Sequence, residues 1–391
     1  MAGALEGIRI LDLTAMITGP MATMMLADQG AEVVKIEPPG VGDVMRYLGS
    51  SSRGISSMYA SCNRNKQSVV LNIGTDEGKA IIRELAAEAD IFIQNFRPGV
   101  IERLGLGEEV LRAEHPDLIY VSLNAFGESG PYAARPAFDH ILQGMTGAAY
   151  IQGSTEPEFM RQLWVDKTTA LTAAQAITAA LFARERGAGG QHLRMSMIDA
   201  GLAFLWPDGH SSTMLLEEDA AHLPPISDTF NATATKDGAI TIVAVTDDQR
   251  ARMLQAMGLE AMLVDERFST IQAIMANLED FRAAVENAAA QYSTEGLIQR
   301  LVDADVPCGP ILRPEEIATS ACVVASGTLV ESEHPVMGRI LEPRPAARFD
   351  ATPSEMRTPA PAMGEHTDSV LSRLGRDQQT IDQLRANGVI G

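Results

Sequence analysis

The first third of the chain alternates short β-type runs with helix-type runs, and this alternation constrains the fold more than any other feature. A β-type run at 8–13 is followed by a helical run at 20–28, a glycine at Gly30 and a second β-type run at 32–37. Two strands separated by a helix in this way form a βαβ unit, whose strands lie parallel. The sequence therefore predicts an α/β fold, in which helices cover both faces of a parallel sheet.

The same alternation continues downstream. Further β-type runs lie at 68–72, 90–94 and 118–122, with a helical run at 76–88. Because ligands of such sheets bind beyond the carboxyl ends of the strands, the candidate site comprises the turns that follow them. These turns are 14–20, 36–48, 72–75, 94–103 and 124–139. None of them contains the Gly-x-Gly-x-x-Gly pattern, which argues against a dinucleotide-dependent oxidoreductase.

The second half of the sequence has a different organisation. A long helical run at 167–186 leads to a helix that ends at about 216, and the acidic, proline-containing stretch 217–229 is typical of a linker. Strand and helix patterns between 239 and 304 indicate a smaller α+β region. The tail 335–365 is rich in proline and arginine, and we expect it to wrap over another part of the protein.

Charge and composition exclude several classes of function. The chain has 51 acidic and 31 basic side chains and a net charge of −20, which disfavours binding to nucleic acid or anionic lipid. No apolar stretch approaches the length of a membrane span, and the first residues lack the layout of a signal peptide, so we expect a cytoplasmic protein. Three isolated cysteines and seven scattered histidines show no metal-binding spacing, so no metal is predicted.

Asp166 is the most informative single residue. It lies at the beginning of the helical run 167–186, where the positive end of the helix dipole and unpaired N–H groups favour a carboxylate anion. An oriented anionic carboxylate is suited to nucleophilic catalysis. Aspartate is also a common helix cap, so the residue alone does not decide between the two roles.

A series of short motifs runs in order from residue 5 to residue 367. The motifs are 5–14 with Gly19 and Pro20, 30–37 with Gly42, Asp43 and Arg46, 63–66 with Leu71, 95–99, 103–106, Phe126-Gly127 with Gly130-Pro131, Asp166 with Thr169, 187–191, 235–238, His334-Pro335 with Gly338, and 364–367. Together they resemble the family III CoA-transferases, the group that includes formyl-CoA transferase and carnitine CoA-transferase and that is related to α-methylacyl-CoA racemase.

The resemblance implies a fold and an assembly. It implies a large Rossmann-like parallel-sheet domain, built from N- and C-terminal parts, with a smaller α+β domain, in an interlocked homodimer. The implied parts are a large CoA-binding domain at 1–216, a linker at 217–229, a small domain at 230–325, and a return segment at 326–391 that completes the large domain.

The resemblance also implies a reaction. The family moves CoA from an acyl-CoA donor to a carboxylic acid, and an aspartate at the position of Asp166 is its nucleophile. The intermediates are an aspartyl anhydride and an aspartyl-CoA thioester, with CoA as the carrier and without a metal. The oxyanion donors remain open between the backbone near the start of the 167–186 helix and a glycine-bearing loop of the small domain.

Motif positions give the implied contacts. The CoA-binding residues are Leu71, Asn72, Ile73, Asn95, Phe96, Arg97 and Arg103, with Arg135 and Phe138 near the pantetheine arm. The residues of the substrate pocket are Met16, Ile17, Thr18, Leu48, Asp139 and Met197.

Three departures from the family pattern concern the substrate. Ile17 and Leu48 stand where formyl-CoA transferase has glutamine and tryptophan, and the glycine run of its small domain has no counterpart near 226–238. Apolar side chains offer no hydrogen bonds to a small dicarboxylate. We therefore expect a larger or more apolar acyl group than formate or oxalate.

Two alternatives stay open at this point. In the related racemases a histidine immediately precedes the aspartate that corresponds to Asp139, whereas here Phe138 precedes it and His140 follows it. On a helix the two positions face different directions, so the imidazole does not point in the required one, which disfavours a racemase. The other alternative is a non-catalytic CoA-binding protein, which the presence of Asp166 disfavours.

Overall fold

The computed structural model describes residues 3–153, 155–222 and 224–391. The chain forms two compact units. The described residues up to Met214 and the segment Gly327–Gly391 make the first unit, and Leu215–Ser326 make the second.

Six parallel strands form the centre of the first unit. They are β1 Arg9–Asp12, β2 Glu32–Glu37, β3 Lys66–Val70, β4 Ile91–Gln94, β5 Ile119–Asn124 and β6 His192–Ser196. Their order in the sheet is β3-β2-β1-β4-β5-β6, and every neighbouring pair is parallel. The α/β prediction is confirmed. Because the chain order reverses between β1 and β4, a crevice is expected beyond the carboxyl ends of these two strands.

Within the residues that the structure describes, nine α-helices connect or follow these strands. They are α1 Thr18–Asp28, α2 Ser57–Asn63, α3 Asp76–Ala87, α4 Val100–Arg103, α5 Glu108–Glu114, α6 Asp139–Met145, α7 Ala148–Gly153, α8 Trp164–Ala183 and α9 Met197–Gly209. Two apolar clusters show that helices cover both faces of the sheet. Phe92 packs with Ile82 of α3, whereas its neighbour Ile93, which points to the opposite face, packs with Ile177 of α8.

The second unit combines a small antiparallel sheet with helices. Its strands are β7 Thr233–Ala234, β8 Ala239–Ile242 and β9 Cys308–Pro310, and its helices are α10 Asp247–Ala256, α11 Ile271–Ala276, α12 Leu278–Ala289, α13 Thr294–Asp303 and α14 Ala321–Ser326. The stretch 271–289 is divided into two helices at Asn277, whose backbone is not helical and whose side-chain amide donates to the Ala273 carbonyl at 2.8 Å.

The C-terminal segment returns to the first unit. It contains a hairpin, β10 Leu329–His334 with β11 Gly338–Pro343, and the helices α15 Thr367–Arg373 and α16 Gln378–Ala386. Val370 and Ile381 of these helices join the apolar cluster that contains Phe92. Within the described ranges, no helix combines the length and apolarity that a membrane span requires.

Candidate active site

The predicted site residues follow the carboxyl ends of the six parallel strands. Met16, Ile17 and Thr18 follow β1; Leu48 follows β2; Leu71, Asn72 and Ile73 follow β3; Asn95, Phe96, Arg97 and Arg103 follow β4; Arg135, Phe138 and Asp139 follow β5, as does Asp166 further along the chain; and Met197 follows β6. Carboxyl ends of parallel strands meet at one edge of the sheet. The fold therefore brings these segments to the same edge.

Asp166 is bound to a neighbouring helix. It lies in the first turn of α8, whose N-cap residue Leu163 forms no capping hydrogen bond through its side chain. Its carboxylate instead accepts a hydrogen bond from the Thr18 hydroxyl at the start of α1. Asp166 is therefore not an ordinary cap, because its carboxylate connects the amino-terminal ends of two helices.

The environment of Asp166 changes its acidity. Burial raises the pKa of its carboxyl group, the Thr18 hydroxyl lowers it, and the nearby Asp139 raises it again, with a net pKa of about 6. The helix start alone had suggested a carboxylate that is anionic over a wider pH range. Burial raises the pKa more than the start of the helix lowers it, although the anion still predominates at pH 7.

Asp139 is hydrogen-bonded to Asp166. This residue begins α6 and is 1% exposed. One carboxylate oxygen accepts the backbone N–H of Asp166 at 3.0 Å, and the other accepts the side-chain amide of Gln143 at 2.6 Å. Asp139 therefore fixes the first turn of α8 and places a second negative charge beside Asp166.

Two buried ion pairs lie next to the loop that precedes Thr18. Lys35 Nζ is 2.9 Å from Asp43, and Lys66 Nζ is 3.2 Å from Asp12. Burial lowers the pKa of Lys35, but Asp43, Asp12 and Glu37 raise it above its usual value, so Lys35 stays protonated. Burial similarly raises the pKa of Asp12, but Lys66 and Lys35 lower it below its usual value.

Apolar side chains border this edge of the sheet. Ile17, 7% exposed, packs with Met45 and Tyr59, and Met16 lies against the same cluster. Met197 packs in a separate cluster with Trp164, Val165 and Leu142. Leu48 is 36% exposed. These surroundings suit an apolar acyl chain better than a small polar one.

The residues predicted to bind CoA differ in their exposure. Arg97 and Arg103 are exposed, and neither forms an ion pair within the described part of the chain. Phe138 is 60% exposed, and the Arg135 guanidinium lies 3.9 Å from the centre of the Tyr132 ring. Two guanidinium groups without carboxylate partners are suited to phosphate.

Other predicted CoA residues are engaged by the protein. Leu71 is 1% exposed, belongs to the core and donates its backbone N–H to the Glu37 carbonyl at 2.9 Å. Asn72 donates its backbone N–H to the Val389 carbonyl at 2.8 Å, while Ile73 and Phe96 pack against the core. The Asn95 side chain accepts from the Ala15 N–H at 3.0 Å and donates to the Ala15 carbonyl at 2.9 Å.

Comparisons with known proteins decide the family. The profile of CoA-transferase family III matches residues 5–367. The chain belongs to CoA-transferase family III. A mouse succinyl-CoA:glutarate CoA-transferase is 32% identical over 395 residues, which cover 99% of this chain and 90% of the mouse protein. A formyl-CoA:oxalate CoA-transferase from Shigella sonnei is 30% identical over 419 aligned positions, which cover 100% of both proteins.

A solved protein structure has a fold similar to that of this chain. The crystal structure of a CaiB/BaiF family protein from Brucella suis is similar to this family III CoA-transferase with a TM-score of 0.83 and 29% sequence identity. The alignment covers 96% of this chain and 100% of the Brucella chain. The resemblance in the sequence motifs is thereby confirmed, and CoA is the substrate and carrier of this transferase.

Sequence reasoning gave no role to several charged residues of this CoA-transferase. Asp12, Lys35 and Asp43 belong to the family motifs, but only the structure shows that they surround the loop before Thr18. A signal was present, because Asp12 and Lys35 interrupt apolar β-type runs that are buried on both faces. A charge in such a run needs a buried partner. Among the described residues, no cluster of histidine, cysteine and acidic side chains has the geometry of a metal site.

Asp139→Asn is expected to move the acid limb of the pH-rate profile of this CoA-transferase to lower pH. Asp139 raises the pKa of Asp166, so removing its charge lowers that pKa and leaves Asp166 ionised in more acidic solution. The measurement is kcat/KM for CoA transfer between pH 4.5 and 8. Asp199→Asn, the same change in the first turn of α9, is the control and should leave the limb in place. An unmoved limb in Asp139→Asn would show that Asp139 does not set the acidity of the reacting group.

Proposed function

We propose that this family III CoA-transferase works through covalent intermediates on Asp166. The observation that carries the proposal is the partly buried Asp166 carboxylate, which the Thr18 hydroxyl binds at the edge of the sheet where the six strands end. Its pKa of about 6 leaves an anion at neutral pH that is more basic than an ordinary aspartate. Such a carboxylate is a stronger nucleophile than a solvated one.

The first half of the reaction transfers CoA to the protein. An oxygen of Asp166 attacks the thioester carbonyl carbon, the carbon–sulfur bond breaks, and CoA leaves as a thiolate. The product on the protein is a mixed anhydride. The thiolate then attacks the Asp166 carboxyl carbon, the acyl group leaves as a carboxylate, and an aspartyl-CoA thioester remains.

The second half runs in the opposite direction. The acceptor carboxylate attacks the aspartyl carbon and releases the thiolate, which forms an anhydride between the acceptor and Asp166. The thiolate then attacks the acceptor's acyl carbon, which gives the new acyl-CoA and regenerates Asp166. No proton is gained or lost overall, and exclusion of water protects both anhydrides.

We propose that the acyl group is larger or more apolar than formyl or oxalyl. Ile17 and Met16 belong to an apolar cluster, and Met197 belongs to another. The names of the relatives include succinyl, glutarate and oxalate groups, whose second carboxylate needs hydrogen bonds or a cation. Near Ile17, the buried cations Lys35, Lys66 and Arg46 are already paired with carboxylates.

We also propose that the active form is a homodimer. Helices α8 and α9 carry large apolar side chains on the surface of the single chain: Leu171 is 55% exposed, Phe182 62% and Phe204 60%. Exposed apolar residues concentrated on two neighbouring helices are typical of a covered interface. A second copy of this chain is the proposed partner.

A transfer assay tests the proposed function. Straight-chain acyl-CoA donors of increasing length, with succinyl-CoA and formyl-CoA for comparison, are incubated with a panel of carboxylic acids, and new acyl-CoA species are identified by mass spectrometry. We expect transfer, with a higher kcat/KM for the longer unsubstituted donors. Exchange of the α-proton of a 2-methylacyl-CoA for deuterium without transfer would instead favour a racemase. CoA binding without either reaction would favour a non-catalytic protein.

A further inference from the structure

The loop that carries Thr18 towards Asp166 contains a strained residue. Met16 has a φ of 68°, which lies in the left-handed region that side chains with a β-carbon disfavour. A backbone of this kind persists only where the surrounding structure holds it in place. Residues 14–17 therefore need strong support, and a change in that support would move Thr18.

Buried side chains bind the loop at consecutive residues. Asp12 accepts the Thr14 N–H at 2.8 Å, and Lys35 donates to the Thr14 carbonyl at 2.7 Å. Asn95 binds both backbone groups of the next residue, Ala15. Asp43 accepts the N–H of Met16, the strained residue itself, at 3.1 Å.

Asp43 is itself held firmly. Its carboxylate lies 2.9 Å from Lys35 Nζ and accepts the Met45 N–H at 3.0 Å. Its own backbone N–H donates to Glu37 at 2.9 Å, and Glu37 is paired with Arg46 at 2.7 Å. Asp43 is 2% exposed, so no water competes with these bonds. A rigid support of this kind can transmit a fixed position to the group that it binds.

We propose that Asp43, paired with Lys35, is a positioning residue that sets the rate at which Asp166 attacks the thioester. This inference rests on the proposed function, since it takes Asp166 as the nucleophile. Asp43 fixes the Met16 backbone, Met16 fixes Thr18 two residues later, and the Thr18 hydroxyl orients the Asp166 carboxylate. A buried ion pair contributes little net stability compared with apolar residues of similar size, which favours a role in positioning over a role in stability.

Two double variants separate the oxygen acceptor at residue 43, which binds the N–H groups of Met16 and Met45, from the ion pair with Lys35. Lys35→Met removes the charge of Lys35 in both, so that neither leaves an unpaired buried cation. Combined with Asp43→Asn, it keeps an oxygen acceptor for the Met16 N–H; combined with Asp43→Ala, it removes that acceptor. We expect the alanine double variant to have a kcat at least about tenfold below that of the asparagine double variant, because small displacements of reacting groups are costly. KM for the acyl-CoA should agree within about threefold.

The pH profile supplies a second measurement. The Thr18 hydroxyl lowers the pKa of Asp166, so a displaced Thr18 raises that pKa, and the acid limb of the alanine double variant should move to higher pH. The other titratable groups that act with Asp166, Asp139 of α6 and Cys62 of α2, are unchanged in both variants.

Another buried ion pair gives the matched control. Arg64 and Asp28 lie 2.7 Å apart with side chains 6% and 4% exposed, and their contacts lie away from the 14–17 loop. Arg64→Met with Asp28→Asn should change thermal stability but neither kcat nor the acid limb. Equal kcat and equal acid limbs in the two Lys35→Met double variants, both shown to be folded, would overturn the proposal. The proposal would also be overturned if kcat decreased in every double variant, including the control, in proportion to the loss of stability.

Single-turnover mass spectrometry separates this inference from the proposed function. Wild-type protein mixed with an acyl-CoA should gain a covalent adduct, and the alanine double variant should gain the same adduct more slowly than the asparagine double variant. If wild-type protein forms no adduct, the covalent function fails. If all three proteins form it at one rate, the covalent function stands and the positioning role of Asp43 fails.

Discussion

Replacing Asp166 by asparagine is expected to lower kcat for CoA transfer by at least about a thousandfold, because an amide oxygen cannot form the anhydride. Asparagine has nearly the same volume and can still accept the hydrogen bond of the Thr18 hydroxyl. The site should therefore remain assembled while the nucleophile is lost. The measurement is the rate of acyl-CoA formation with saturating donor and acceptor.

Binding and folding need to be measured on the same variant. The dissociation constant for CoA, determined by calorimetry, should stay within about threefold of wild type, since neutralising one carboxylate removes no phosphate contact. Asp199→Asn, with the same chemical change in the first turn of α9, should retain full activity. A kcat of Asp166→Asn within tenfold of wild type would remove Asp166 from the mechanism.

The same substitution is expected to make the protein more stable at pH 8. Burial and Asp139 raise the pKa of Asp166 to about 6 in the folded state from an ordinary value of 3.8. Since one pKa unit corresponds to about 1.4 kcal/mol, the ionised carboxylate lowers the free energy of unfolding by roughly 2 to 3 kcal/mol. Asparagine carries no charge, so the Asp166→Asn variant avoids this cost. Its Tm at pH 8 should exceed that of wild type by a few degrees, which is the shift that a gain of this size in the free energy of unfolding produces.

The stability gain should depend on pH in a defined direction. Below pH 3.8 Asp166 is protonated in both the folded and the unfolded states, so its charge costs nothing. As the pH rises from 3.8 to about 6, the unfolded state releases the proton first and wild type loses stability; above about pH 6 the loss is complete. Asp166→Asn should therefore gain most above pH 6 and little near pH 4.

Differential scanning calorimetry at several pH values checks this expectation. Asp199, at a more exposed position, again gives the control, and Asp199→Asn should show no comparable gain. A destabilised Asp166→Asn protein at pH 8, or a gain of the same size at every pH, would show that the carboxylate is not desolvated in the folded state. If Asp166→Asn loses activity but gains stability, the carboxylate of Asp166 is retained for catalysis at a cost in stability.

Much of the large unit could be predicted from its sequence, for a physical reason. Strands such as β4 are buried on both faces and therefore appear as continuous apolar runs. In the helices between them, apolar residues recur with the helical period. The hairpin β10–β11 was missed because its strands are mostly exposed and mostly polar, as in the run Glu331-Ser332-Glu333. Such a pattern does not distinguish a strand from a loop.

The candidate site could be predicted less completely. The sequence pattern predicts that Asp166 begins a helix, and the structure has it in the first turn of α8, while its role as nucleophile stays a prediction. Its acidity depends instead on burial and on Asp139, which is 27 residues away in the sequence but accepts the backbone N–H of Asp166 in the same turn. The roles of Lys35 and Asp43 also arise only when β2 and the loop after it meet the end of β1.

Nucleophilic catalysis by Asp166 requires a covalent adduct on this residue, which mass spectrometry can locate. Wild-type protein is mixed with an acyl-CoA, quenched in acid within one turnover, digested and mapped by tandem mass spectrometry, with hydroxylamine added to a parallel sample. We expect an acyl or CoA mass on the peptide that contains Asp166, conversion of that residue to its hydroxamate by hydroxylamine, and no adduct in Asp166→Asn. An active wild-type enzyme that carries no adduct, or an adduct on another residue that persists in Asp166→Asn, would contradict this expectation.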